Sequence, residues 1–433
     1  MIINFSIQNF GSIRNRQTLS FEATKTNHLE DAYVMRVGEM RLLKLALIYG
    51  PNASGKTTIL KALDFLRDIV LQPNDKKTDE LHFEPFLFDP ETPKKTSLLA
   101  LEFIHEDIKY LYEVEFIKTA IVSEELYFYN PYKANLYKRT TDLSNQLTEI
   151  TFGSKIKIDK AFEKALEANT LWNNTVLGGY LKTNIDFKEL KQVVEWFRFH
   201  LRPMVMPRTS LEIYVTEKIS EGKINRNDII EILKKADFHI SDIIIQEKEE
   251  KIPPHYLEFL KKEFANLNKT KDLPNVDEKK FKTIELRLEH TVNQEKYPLQ
   301  FRLESEGTKR YYGYAGLLSE GLRSSVILPI DELESSLHPD LYEHFLLTFL
   351  LNTKESQIIA TTHNREILNN KDIFRNDAIW FTDMDENCAT ELYSLADFDS
   401  SVVRDTTNVL NAYKSGKLGA TPNPDDTYIE LNE

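Results

Sequence analysis

The run Gly50-Pro51-Asn52-Ala53-Ser54-Gly55-Lys56-Thr57 has the spacing G-x-x-x-x-G-K-T, which suits chemistry on a phosphate chain. Its glycines let backbone N–H groups turn inward around a di- or triphosphate, and a following helix N-terminus adds partial positive charge. Gly50, Asn52, Ala53, Ser54, Gly55, Lys56, Thr57 and Thr58 are therefore the expected nucleotide-binding residues. Lys56 would reach the β- and γ-phosphates, and the Thr57 hydroxyl would hold Mg²⁺. Further along, Asp331-Glu332 ends the apolar run Val326 to Ile330. There Asp331 can complete a Mg²⁺ shell and Glu332 can orient or deprotonate an attacking water. A helix-capping pair would look the same, and the glycine loop upstream tips the reading to catalysis. Ser305-Glu306-Gly307-Thr308 precedes a helical pattern and reads either as a second anion site or as a plain N-cap.

The elements that must hold these residues are legible as periodicities. Leu45 to Tyr49 is an apolar run typical of a buried strand, and Ile59, Ala62, Leu63, Leu66, Ile69 and Val70 recur at helical spacing behind the loop. An ordinary glycine turn seldom sits in that setting. Ile2 to Phe10 alternates as a half-exposed strand, Gly11-Ser12 turns, and Thr18 to Ala23 can return as a second strand. Residues 24–41 are polar and read as a loop. Ser97 to Ile150 has period two, so an antiparallel sheet is expected, its aromatics packing a core rather than stacking bases. Residues 153–282 read as an inserted helical domain, with helices over Asp159–Glu167, Phe187–His200 and Asp228–Asp237, the last capped by Asn227 or Asp228. Lys248 to Lys282 reads as a solvated helix face or linker, and no heptad is sustained. From Thr283 strands return, then alternate with helices through Ile358-Ile359-Ala360, which implies a parallel sheet. Pro329 falls inside the strand that ends in Asp331, where a missing N–H should interrupt a ladder bond.

Fifty-five basic residues against 68 acidic ones give a net charge of −13, which argues against a surface built throughout to grip nucleic acid. A local basic groove stays open. The single cysteine, Cys388, excludes an intrachain disulfide and a cysteine metal cluster. The start, Met1-Ile2-Ile3-Asn4-Phe5, lacks a signal peptide's basic and apolar regions, and Leu341 to Leu351 is too short and polar to span a bilayer. A soluble cytoplasmic protein without membrane contact is expected.

Taken together, Gly50–Thr57, Ser305-Glu306-Gly307, Val326–Glu332, Ser335-Ser336-Leu337-His338-Pro339 and Thr361-Thr362-His363 resemble the ABC-type ATPase heads of the RecF, SMC and OLD-like families. The nearest resemblance is to ATPases of bacterial anti-phage and abortive-infection systems, such as the AbiL/RloA group and AriA of PARIS. It covers roughly residues 1–152 and 283–415. It implies an α/β fold: a phosphate-loop parallel sheet with an antiparallel β part, in two halves (1–152 and 283–433) around the insertion 153–282. Ser305, Gly307 and Thr308 would then be a signature contacting the ATP of a partner subunit. Ser335 to Pro339 would cross a dimer interface, and His363 would be a catalytic switch sensing the γ-phosphate. Ser12 and Arg14 resemble an arm near the nucleotide, and Phe83-Glu84-Pro85-Phe86 lies near where a glutamine loop belongs. The signature reads S-E-G-T-K, which sets it apart from transporters.

The resemblance implies a Mg²⁺-dependent ATPase that pairs with itself and, as a defence component, controls a separate effector such as a nuclease in response to a phage protein. Two other functions compete. A RecF-like DNA-repair clamp predicts a basic stripe and salt-dependent DNA binding. An OLD-like nuclease would use the D-x-D of Asp383-Met384-Asp385, which also fits a hairpin turn between Trp380-Phe381 and Leu392-Tyr393. A small-molecule kinase leaves Ser305, Gly307 and His363 unexplained.

Overall fold

The computed structural model describes residues 1–251, 280–398 and 409–422. The described chain divides into a larger unit, Met1–Thr209 with Glu320–Glu433, and a smaller one, Ser210–Ser319.

In the larger unit, alternating apolar side chains build β1 (Ile2–Gln8), which pairs antiparallel with β2 (Gln17–Ser20). The polar stretch 24–41, expected as a loop, also carries the short helix Glu30–Tyr33 and the strand β3 (Val34–Val37), paired with β4 (Met40–Leu43). Then comes β5 (Leu45–Tyr49), buried at every position, and the helix Lys56–Leu71. The period-two region folds as β6 (Ser97–His105), β7 (Ile108–Ile117), β8 (Ala120–Tyr129), β9 (Lys133–Asp142) and β10 (Leu147–Phe152). With β1 and β2 they form one antiparallel sheet in the order β10-β9-β8-β7-β6-β1-β2. Phe103, Tyr110, Tyr112 and Phe116 are buried, so these rings pack a core.

One polar knot lies inside this sheet. Glu124 and Arg139 are both fully buried. The Glu124 carboxylate accepts from Tyr112 Oη at 2.9 Å, Tyr137 Oη at 2.6 Å and the Val176 backbone N–H at 2.7 Å. Arg139 donates to the Trp172 carbonyl at 3.0 Å, and Thr175 Oγ1 donates to the Ile69 carbonyl at 3.1 Å. Residues 172–176 are thus stitched to the sheet on one side and to the phosphate-loop helix on the other.

The smaller unit contains the helices Leu211–Ser220 and Arg226–Lys235, the strands β11 (Ile240–Lys251), β12 (Lys280–Val292) and β13 (Glu295–Gln300), and most of the helix Glu306–Arg323. Two expectations are corrected here. The cap of Arg226–Lys235 is Asn225, whose side chain accepts from the Asn227 N–H at 2.9 Å. Ile240–Lys251, within the stretch read as a helical insertion, is a strand: Ile243-Ile244-Ile245 lose side-chain freedom in a helix and pair against Leu288, Arg287 and Leu286 of β12 in that order. The middle of the charged stretch, 252–279, lies outside the described residues.

The rest of the larger unit adds β14 (Ile327–Ile330), the helix Pro339–Asn352, β15 (Gln357–Thr361), β16 (Ile379–Met384) and β17 (Thr390–Ser394). Their sheet order is β14-β15-β5-β16-β17, parallel except for the last strand. This is the fold the resemblance implies, a phosphate-loop parallel sheet with an antiparallel β part. Pro329 leaves the β14–β15 register unbroken. Its carbonyl accepts from Val205 N at 2.9 Å, so its missing N–H faces the other edge, where Leu201 and Val205 make only isolated bridges. The irregularity expected from Pro329 falls on that edge. Among the described residues, no helix is long and apolar enough to cross a membrane.

Candidate functional site

The chain leaves β5 at Gly50 and enters the helix Lys56–Leu71 through Gly55 at φ +95°, with Ala53 also left-handed at +65°. That helix has no side-chain cap, so its first N–H groups are available to an anion. The loop is held from behind by the β16–β17 hairpin. Ser54 Oγ meets Thr382 Oγ1 at 2.6 Å, while Thr390 Oγ1 donates to the Ser54 carbonyl at 3.0 Å and meets Ser12 Oγ at 2.7 Å. Ser12 Oγ in turn meets Thr58 Oγ1 at 3.1 Å. The packing explains both glycines. A Cβ on Gly50 would lie 2.4 Å from Thr382 Oγ1, and one on Gly55 would lie 2.1 Å from Thr390 Oγ1. Lys56, 7% exposed, donates to the carbonyls of Gly50 and Pro51, each at 2.9 Å.

The carboxylate strand meets this loop directly. Thr57 Oγ1 donates to Asp331 Oδ1 at 3.0 Å and contacts Oδ2 at 3.2 Å. β14 and β5 are separated by β15, whose last residue supplies the connecting hydroxyl. Thr361 Oγ1 donates to Asp331 Oδ1 at 2.7 Å and accepts the Glu332 N–H at 2.8 Å. One buried threonine therefore fixes the side chain of Asp331 and the backbone of Glu332, the latter at the unfavourable φ of +46°. Glu332 itself is exposed. The His363 N–H donates to Glu334 Oε1 at 2.6 Å.

Electrostatics bind these groups into one cluster. Burial pushes the Lys56 ammonium down from its ordinary pKa, opposed by the negative charges of Asp331, Glu332 and Glu334. The His363 imidazole is lowered first by burial and then by Lys56, opposed by the same three carboxylates. The Thr57 hydroxyl and the Asp331 carboxylate, in mutual contact, are the hard oxygen donors that Mg²⁺ takes, so the donor set fits that ion. An ion held by these two residues would supply neutralisation of charge on a phosphoryl group.

Of the residues singled out by sequence, Gly50–Thr58, Asp331, Glu332 and His363 are gathered in the larger unit. Ser305, Gly307 and Thr308 lie in the smaller one. There the exposed Ser305 hydroxyl accepts the Thr308 N–H at 3.1 Å, as a helix cap does. Ser12 touches the loop, while Arg14 pairs with Asp89 and lies 5.9 Å from the Phe86 ring. The Gly11 N–H donates to the Glu84 carbonyl at 2.7 Å, which places Phe83–Phe86 beside the same turn. Asp383 and Asp385 lie on the β16–β17 hairpin, where Asp383 accepts the Ala420 N–H at 2.8 Å and Asp385 accepts the Asn387 and Ala389 N–H groups, each at 2.8 Å. The sequence motifs included Thr361 without giving it a role and passed over Glu334, Thr382 and Thr390, whose contacts depend on strand order rather than spacing. Thr361→Val removes the hydroxyl that serves both Asp331 Oδ1 and the Glu332 N–H, and is expected to cost about 1–3 kcal/mol of stability in chemical denaturation.

A family model described as "AAA domain, putative AbiEii toxin, Type IV TA system" matches residues 45–166 and 213–369. Among solved structures, the chain is similar to an SmcHead bound to the C-winged helix domain of ScpA, at 12% identity and a TM-score of 0.41, covering 91% of this chain and 97% of that one. It is also similar to the SMC head domain from Thermotoga maritima, at 14% identity and a TM-score of 0.38, covering 91% and 98%. No curated protein matches. The family match takes in more than half of the chain and both the loop and the carboxylate strand, and the protein belongs to this AAA domain family.

Proposed function

We propose that this chain is a Mg²⁺-dependent ATPase whose working site is completed by a second copy of itself. The contact between Thr57 and Asp331 at 3.0 Å carries the reading, because it puts a phosphate loop and a carboxylate strand at one point. In the proposed reaction Lys56 binds the β- and γ-phosphates, Thr57 and Asp331 hold the ion, and Glu332 orients and deprotonates the attacking water. His363 reads the γ-phosphate. Ser305, Gly307 and Thr308 contact the ATP of the other subunit.

The composite site makes a distinctive prediction. Ser305→Ala should lower turnover about a hundredfold while leaving binding of a fluorescent ATP analogue intact, since the phosphate loop is untouched. A verified monomer hydrolysing ATP at the full rate would overturn the composite site. We place the ATPase in an abortive-infection system, as a regulatory subunit that holds or releases a separate effector according to nucleotide state. The family's description, which mentions the AbiEii toxin and a type IV TA system, supports that setting. Co-purification from a native host with neighbouring gene products tests it: a bound nuclease supports defence, and bound DNA supports a repair clamp instead.

A further inference from the structure

The loop after β14 carries a third carboxylate, Glu334, which the reaction outlined above does not use. Glu334 Oε1 accepts the His363 N–H at 2.6 Å, tying the loop after β14 to the loop after β15. Its second oxygen, Oε2, is buried without a hydrogen-bond partner, so the bond from that amide is the side-chain hydrogen bond that positions the carboxylate. The backbone around it is equally constrained. The Ser335 N–H donates to the Glu332 carbonyl at 2.8 Å, the Leu337 N–H donates to the Glu334 carbonyl at 2.9 Å, and Ser336 is left-handed at φ +64°. Glu334 therefore stands between two elements proposed to work together: Asp331-Glu332, three and two residues before it, and His363 across the hydrogen bond. Its negative charge also reaches Lys56 and the His363 ring.

We propose that Glu334 is a positioning residue for ATP hydrolysis, fixing the backbone of His363 against the Asp331-Glu332 turn through the bond from the His363 N–H to Glu334 Oε1. The inference rests on the ATPase reading given above. A carboxylate facing a backbone amide locks the histidine's main chain and leaves its imidazole free to meet the γ-phosphate.

The test uses the full chain, measuring steady-state turnover, binding of a fluorescent ATP analogue and the thermal midpoint. Glu334→Ala should lower kcat between about tenfold and a hundredfold, with KM and analogue affinity within about threefold of the parent and the midpoint unchanged. Glu334→Gln keeps a carbonyl oxygen able to accept the amide, and should recover kcat to within about threefold of the parent. Parental turnover in Glu334→Ala overturns the proposal. A Glu334→Gln variant as slow as Glu334→Ala overturns it too, because charge and not the hydrogen bond would then be what matters. A kcat loss accompanied by lost analogue binding or a lower midpoint assigns Glu334 a structural role instead. If the parent itself shows no turnover and Lys56→Ala matches it, the ATPase reading fails, an outcome separate from all of these.

Discussion

Glu332→Gln is expected to lower kcat for ATP by about a hundredfold or more, the loss that follows removal of a general base. Affinity for ATP should stay within about threefold, because glutamine fills the same volume and the Thr361 bond is made to the Glu332 backbone. The charge change has a second effect of known sign. Glu332 is one of three carboxylates that oppose the burial-driven lowering of the Lys56 pKa, so its removal moves Lys56 further down. Single-turnover hydrolysis beside equilibrium binding separates the two, and parental turnover by the variant would remove Glu332 from the chemistry.

The largest expected loss of stability lies away from the nucleotide. Glu124→Ala deletes the acceptor shared by Tyr112, Tyr137 and Val176, and leaves the fully buried Arg139 without its neighbouring negative charge. Breaking a buried polar arrangement by removing one partner costs about 3–5 kcal/mol. Chemical denaturation should show that drop, and a change below about 1 kcal/mol would mean the knot contributes little. Glu124→Gln gives a complementary result through pH. Burial raises the Glu124 pKa in the folded state, only partly offset by Arg139 and its hydrogen bonds. The native state then holds its proton more tightly than the unfolded chain, so this group's contribution falls as pH climbs from the ordinary carboxylate range towards the raised value. Glutamine does not titrate, and that part of the pH dependence should vanish from the variant's denaturation midpoints.

The phosphate loop was legible because its spacing is set by the ligand: glycines, Lys56 and Thr57 must occupy fixed positions around a phosphate chain whatever surrounds them. Asp331 and Glu332 were legible because an apolar run ended in them. The antiparallel sheet was legible from period two, down to buried Tyr112 and Phe116. Other features depend on partners distant in sequence. Thr361 matters because β15 lies between β14 and β5, an order that no local pattern encodes. Thr382 and Thr390 matter because a later hairpin packs on the loop. Ile240–Lys251 was misread because its charge density resembles a solvated helix, whereas its pairing with β12 makes it a strand. Pro329 was rightly marked as a missing donor, but which edge it would face depends on the neighbour at 201–205.

β5 is flanked by β15 and β16, so the strand that launches the phosphate loop at Gly50 waits for neighbours that begin at Gln357 and Ile379. During synthesis the first third of the molecule leaves the ribosome with its most apolar strand unpaired on both sides. The nucleotide pocket can assemble only after translation has passed the β16–β17 hairpin, and closing so long a loop makes assembly slow. A chain arrested before that hairpin is expected to expose this strand and to lack the contacts that hold the glycine loop from behind.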